Sequence, residues 1–389
     1  MKSLFNDKEA LSYGSDVAMR VYTSRLLGQD SNLVLHGGGN TSVKSKVDGE
    51  EILFVKGSGW DLATIEEPGF APVKLDPLIE MAKLDALSDS DMVKQQREAM
   101  IDETAPNPSI EAILHAIIPF KFVDHTHSDA VVTISNTPNG EAIIKELYPN
   151  FLIVPYVMPG FILAKTIYDM SKDLDWSQCE GMILLNHGVF TFNEDAKVAY
   201  EDMIKAVTIS EEYLEKNSSI QVVKSQEKGF DFTQLQKAVS SAKGFEVKMR
   251  INQSQTAVTF ASQDSVAQLA KKGILTPEHI IRTKRFPLLV DENISASLEN
   301  YMQEYESYFN TFATDEICLN KAPNWAIIPN VGTVSFGKNE KECQVIEDIN
   351  NHTMDAILKG ECLGGFESIS LKDGFEMEYW ELEQAKLKK

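Results

Sequence analysis

The chain has 389 residues, 43% of them hydrophobic and 24% charged, a length that suits two domains and a balance that excludes disordered and fibrous proteins. Its 58 acidic against 37 basic residues leave a net charge of −21, which repels a phosphate backbone and argues against nucleic acid as a partner. The longest apolar run, FLIVPYVMPGFILA, is interrupted by Pro155, Pro159 and Gly160, so no membrane span is expected, and the start MKSLFNDKEA lacks a signal peptide's apolar core, which points to the cytoplasm.

Residues 8 to 28 carry a helical apolar rhythm, and LVLHGGGNTSV reads as a strand entering a glycine-rich loop. SVKSKVDGEEILFV predicts a hairpin about Asp48-Gly49, and its second arm runs into the small-residue loop KGSGWDL. From Asp76 to about Glu103 the pattern predicts one long charged helix. TAPNP then breaks the chain, and PSIEAILHAIIP starts a new helix with Ser109 placed to cap it.

KFVDHTHSDAVVTIS predicts a strand giving way to a helix, and LIVPYVMPG and EGMILLNHGVFTF predict further buried strands separated by the helix FILAKTIYDMSK. EDAKVAYEDMIKAVTISEEYLEKN is a helix that closes a first unit near residue 217. The alternation predicts an α/β or α+β layered domain over residues 1–220, with a mixed, mainly antiparallel central sheet flanked by helices. The polar stretch NSSIQVVKSQEKGFD marks a boundary to a smaller α/β region, 221–389. There, IIPNVGTVSFGKNEKECQVIEDI echoes ILLNHGVFTFNEDAKVAYEDMI, with Asn330, Gly332 and Phe336 in register with Asn186, Gly188 and Phe192, which suggests a degenerate partial repeat. Val331 stands where His187 stood, so the copy lacks that ligand. The run Arg282, Lys284, Arg285 reads as a solvated basic turn. Cys179, Cys318, Cys343 and Cys362 form no CxxC pair and are read as free thiols.

In a strand, residues i and i+2 share a face, so His125 and His127 can converge on one ion. A catalytic zinc wants a third protein ligand and one open position. His187, ending an apolar strand at a glycine turn, is the candidate third ligand, and Glu111 the candidate fourth player. An isolated HxH is more often a packing or hydrogen-bonding feature than a metal grip, His115 competes for the third-ligand place, and Asp124 and Asp129 are candidates to hold the imidazoles from behind. GGGNTS, KGSG and Pro108-Ser109 are turns able to bind phosphate through backbone N–H groups and Ser or Asn side chains. None is a P-loop or a dinucleotide-binding fingerprint, so no dependence on NAD is expected.

Together, GGGNTS, KGSGWDL, PSIEAILH, HTHSDA and NHGVF follow the order and approximate spacing of the class II aldolase/adducin family, which residues 15 to 215 resemble. The remainder, including TPEHIIRTKRFPLLV and MEYWELEQAKL, resembles the aldolase half of bifunctional rhamnulose-1-phosphate aldolase/short-chain dehydrogenase proteins. The resemblance implies a class II aldolase-like fold and a Zn2+ ion, or another divalent metal, on His125, His127 and His187. It implies Glu111 as the catalytic carboxylate, Tyr156 as the nearest candidate for the catalytic tyrosine, and a phosphate cradle of Asn40, Ser58, Gly59 and Ser109. The family's second serine before the glutamate is replaced here by Ile110. The implied activity is reversible cleavage of a ketose 1-phosphate, first among them L-rhamnulose 1-phosphate, to dihydroxyacetone phosphate and an aldehyde through an enediolate. The alternatives are a sugar-phosphate epimerase or decarboxylase on the same metal, or a catalytically silent adducin-like binding module. A homo-oligomer, by resemblance a tetramer, is the implied assembly.

Overall fold

Alternating side chains across Asn40–Val47 (β1) and Glu50–Lys56 (β2) build a hairpin whose turn residues Asp48 and Gly49 take φ values of 51° and 87°, the left-handed geometry such a turn needs. The computed structural model describes residues 1–223 and 229–384. β3 (Phe70–Lys74), β4 (Phe122–Thr126), β5 (Phe151–Val154), β6 (Gly181–Leu184) and β7 (Gly188–Asn193) follow. Among the described residues they form one sheet in the order β3-β2-β1-β4-β7-β6-β5. β5 and β6 pair in parallel and the other neighbours antiparallel, which makes the mixed, mainly antiparallel sheet flanked by helices that the pattern implied. β4 lies in the middle of the sheet and is buried along its whole length.

The chain divides into two compact units, Met1–Ser135 with Glu141–Tyr213, and Asn136–Gly140 with Leu214–Lys389. Five residues of the polar stretch NSSIQVVKSQEKGFD, 224–228, and the last residues of MEYWELEQAKL lie outside the described residues. In the second unit, β8 (Lys248–Asn252), β9 (Leu288–Leu289), β10 (Trp325–Ile328) and β11 (Gly332–Gly337) form a smaller sheet, β8-β11-β10-β9. Its core joins this sheet to the helices Phe232–Lys243 and Ile294–Phe312 through Leu235, Val239, Leu298, Ala326 and Val334.

The echo seen in the sequence extends into topology. The order and sense of β8-β11-β10-β9 repeat those of β4-β7-β6-β5. Thr126 faces Val189 across the β4/β7 ladder, and Asn252 faces Thr333 across β8/β11. Asn186 and Asn330 both turn their hairpins at left-handed φ, 60° and 63°, and long helices follow at Ala196–Asn217 and Glu340–Cys362. In this register Ile251 and Val331 stand where His125 and His187 stand.

Four local expectations differ from the structure. LVLH is not a strand, because His36, Gly37 and Gly39 take φ of 44°, 86° and 62° and bend the chain, so pairing starts at Asn40. The long charged helix is two, Leu75–Lys83 and Asp89–Glu98, since Leu84 turns extended and Ser88 caps the second by accepting from Asp91 N–H at 3.1 Å. The LIVPYVMPG strand stops at Val154, before Pro155, whose ring cannot supply a ladder N–H. Lys284 and Arg285 are not solvated. Each is 6% exposed, the Lys284 ammonium lies 3.5 Å from the Tyr305 ring centre and 3.9 Å from Glu378, and Arg285 donates to Ser368 Oγ and the Ile369 carbonyl. No helix among the described residues is long and apolar enough to cross a membrane.

Candidate active site

The C-terminal end of β4 and the β6–β7 turn converge because β4 and β7 are direct neighbours in the sheet. His125 projects from β4 at zero exposure, His127 follows the strand's last residue, and His187 sits in the turn just before β7. Ligand atoms of the three imidazoles lie within 4.8 Å of one another. His125 Nδ1 donates to the Val189 carbonyl at 3.1 Å, which leaves its Nε2 lone pair directed inward, 3.0 Å from His127 Nε2. The His125 ring is clamped flat against Phe190, centroids 4.0 Å apart at 12°.

Glu111 reaches the same point from the opposite side. Glu111, and not the expected Ser109, is the N-cap residue of the helix Ala112–Ile117, and its own N–H donates to Ser109 Oγ at 3.3 Å in the turn before the helix. Glu111 Oε2 lies 3.6 Å from His125 Nε2, and Oε1 lies 3.7 Å from His187 Nε2. Burial alone would raise the Glu111 pKa, but His125, His187, His127 and a hydrogen bond from Asn40 outweigh it and hold the carboxyl at about 2. Burial pushes the His125 pKa well below the ordinary histidine range, with Glu111 opposing, so its nitrogen is a free base. Glu111 Oε1 is buried with no hydrogen-bond donor among the described residues. Three imidazoles whose ligand atoms converge, beside a carboxylate with an unsatisfied oxygen, fit a divalent cation.

The two small-residue loops meet a little further along. Gly57 bridges to Pro108, Ser58 N–H donates to the Asn107 carbonyl at 2.8 Å, and Ser109 N–H donates to the Lys56 carbonyl at 3.0 Å. Ser58 is partly exposed, and Gly59 is exposed at a left-handed φ of 91°. Lys56, which no motif singled out, is buried and donates from Nζ to the Gly37 carbonyl at 2.8 Å, tying the loop before β1 to the end of β2. Tyr156 follows β5 with its hydroxyl buried.

Two expectations change here. Asp124 does not hold an imidazole: strand alternation turns it to the other face of β4, where it pairs with Arg20 at 2.6 Å, both side chains at zero exposure. His115 is not one of the converging histidines. It is fully buried on the helix Ala112–Ile117, where burial pulls its pKa down to about 3, and its ring contacts Ser42 and Asn40. Asn40, which the resemblance assigns to phosphate, also joins Glu111 to His115: Nδ2 donates to Glu111 Oε2 at 2.6 Å and Oδ1 faces His115 Nε2. A polar residue at every second position of NTSVK was the available signal, since it marks a strand face turned toward something polar.

Residues 19–214 match the family model described as Class II Aldolase and Adducin N-terminal domain, and residues 229–387 match the one described as Aldolase class II, second domain. A Bacillus subtilis (strain 168) protein, Uncharacterized oxidoreductase YuxG, is 31% identical over 418 residues, which span 100% of this chain and 60% of that protein. The chain therefore spans 60% of the length of this curated relative. The solved N-terminal class II aldolase domain of a conserved protein from Thermoplasma acidophilum is 36% identical, covers 55% of this chain and 99% of its own, and superposes with a TM-score of 0.51.

Proposed function

The chain belongs to the class II aldolase and adducin family, and from that premise we propose that it is a zinc-dependent aldolase that reversibly cleaves a ketose 1-phosphate to dihydroxyacetone phosphate and an aldehyde. The observation that carries this reading is the position of Glu111, between 3.6 and 3.7 Å from two imidazoles of a three-histidine cluster that fits a divalent metal. His125, His127 and His187 would hold the metal. When bound, it supplies Lewis acidity to adjacent carbonyl and hydroxyl oxygens of the sugar phosphate, so no Schiff-base lysine is required.

Glu111, ionised at working pH, stands ready as base in the synthetic direction, taking a proton from C3 of dihydroxyacetone phosphate. In cleavage it returns that proton to C3 once the C3–C4 bond has broken. Tyr156 is assigned to the proton of the C4 oxygen, by resemblance. Ser58, Gly59 and Ser109 would receive the phosphate, and the second N–H of the Asn40 amide can join them. L-rhamnulose 1-phosphate is the first substrate to try, because the whole chain resembles the aldolase half of bifunctional rhamnulose-1-phosphate aldolases. A homo-oligomer, a tetramer by the same resemblance, is part of the proposal. So is a second unit that descends from a copy of the β4–β7 half and has lost its ligands, Ile251 and Val331 replacing two histidines. The oxidoreductase in the name of the Bacillus protein is not transferred to a chain that spans 60% of it.

The test is metal content and retro-aldol turnover over a panel of ketose phosphates. About one zinc per chain, activity lost to chelator and restored by Zn2+, and loss of both on His127→Ala support the enzyme. A metal-free protein that turns over none of the panel supports the binding module instead.

A further inference from the structure

Asn40, Ser42 and Lys44 alternate along β1 and all point to the short helix that begins after Glu111. Lys44 Nζ donates at 2.8 Å to each of the carbonyls of His115, Ile118 and Phe120, which fastens the end of that helix and the turn beyond it to the strand. Ser42 Oγ lies 2.8 Å from His115 Nδ1, His115 Nε2 meets Asn40 Oδ1, and Asn40 Nδ2 donates to Glu111 Oε2 at 2.6 Å. All four side chains are buried.

The direction of every proton in this chain follows from its last member. A carboxylate accepts, so Asn40 must present its NH2 to Glu111 and its carbonyl oxygen to His115. An amide oxygen also accepts, so His115 must carry its proton on Nε2, and the bare Nδ1 then takes the Ser42 hydroxyl hydrogen. Rotated by 180°, the Asn40 amide would set its oxygen against the Glu111 carboxylate, two acceptors in contact inside the protein. Glu111 on one side of the amide and His115 on the other select the same orientation, and His115 holds the carbonyl end in place.

We propose that His115 is a positioning residue for Glu111: by holding the Asn40 amide in one orientation it pins Oε2 of the carboxylate and leaves Oε1 aimed at the histidine cluster. This rests on the aldolase reading for its effect on turnover but not for its effect on the carboxylate. His115 is not a member of the histidine cluster, and its spacing from Glu111 by one helical turn is what lets one strand face address both.

The experiment compares His115→Leu with His115→Gln in the full chain. Glutamine can offer an amide N–H near the place of Nε2, whereas leucine cannot. Turnover and the visible absorption spectrum of the Co2+-substituted protein, which reports the carboxylate at the metal, are read on both. The leucine variant is expected to lose about 10- to 100-fold in kcat, with KM and metal stoichiometry within twofold and an altered cobalt spectrum; the glutamine variant recovers most of the kcat and the wild-type spectrum. Should the leucine variant fail to fold, Ser42→Ala takes its place, because loss of the Nδ1 partner frees the competing tautomer; a kcat loss of about 3- to 10-fold is expected there. Wild-type kcat and spectrum in the leucine variant, or equal losses in the leucine and glutamine variants, would overturn the proposal. If the wild-type protein cleaves no ketose phosphate, the functional reading fails, and the cobalt spectra still decide the role of His115.

Discussion

Gly188, the residue after His187, has no room for a methyl group. A Cβ there would stand 2.4 Å from the Thr126 carbonyl oxygen, 2.8 Å from His125 Cε1 and 3.2 Å from His127 Cδ2. Since Cβ contacts below 3.0 Å essentially do not occur, Gly188→Ala must move β4 and β7 apart by at least about 0.6 Å at the Thr126–Val189 pair. Metal–ligand distances tolerate about 0.2 Å, so the displacement exceeds what the His125 and His127 nitrogens can absorb without losing one bond. Zinc affinity should fall by about 10- to 100-fold, and overpacking should cost about 1–3 kcal/mol of stability. Both are measurable, the first by competition with a chromophoric chelator and the second by urea unfolding of the metal-free protein. Gly49→Ala is the control: it strains a left-handed position at φ 87° with nothing within 4 Å, so it should cost about 1 kcal/mol and leave zinc affinity unchanged. A folded Gly188→Ala protein that binds zinc within twofold of wild type would refute the reasoning.

Arg20→Met strands the fully buried Asp124 carboxylate and is expected to cost about 3–5 kcal/mol, seen as a shift in urea midpoint; a change below 1 kcal/mol would mean that water or another cation reaches Asp124. His115, neutral in the folded state with its pKa at about 3, takes up a proton only on unfolding once the pH drops below about 6.5. Stability of the metal-free protein should therefore fall as pH falls from 6.5 toward 3, by about 2 kcal/mol per such histidine between pH 7 and 5, and His115→Gln should flatten that slope. His125 contributes in the same direction. Glu111, held at about 2, adds a loss that begins as the pH falls through the ordinary carboxylate value of 4.5 and continues toward pH 2. In the second unit, Asn330→Gly should be nearly neutral and Asn330→Val should cost about 1–3 kcal/mol in an equilibrium melt, because the turn holds φ at 63°.

What the sequence by itself determined is local. Two-residue spacing places His125 and His127 together at the end of an extended segment, the Asn186-His187-Gly188 turn sets a third histidine at a strand end, and Asp48-Gly49 closes a hairpin; each depends on backbone geometry a few residues long. These patterns, with the family resemblance, made the candidate ligands and the kind of sheet readable. Where local pattern misled, long-range context won: LVLH has a strand's composition but a loop's dihedral angles, and TKRF has a surface turn's charge but a buried lysine over Tyr305. Only the tertiary structure decided what Asn40, Ser42, His115 and Arg20 do. Asn40 faces His125 across the β1/β4 ladder, 85 residues away along the chain. Which polar groups meet across such a gap is set by strand register and by the burial that forces each of them to find a partner, and neither is written in any short stretch of residues.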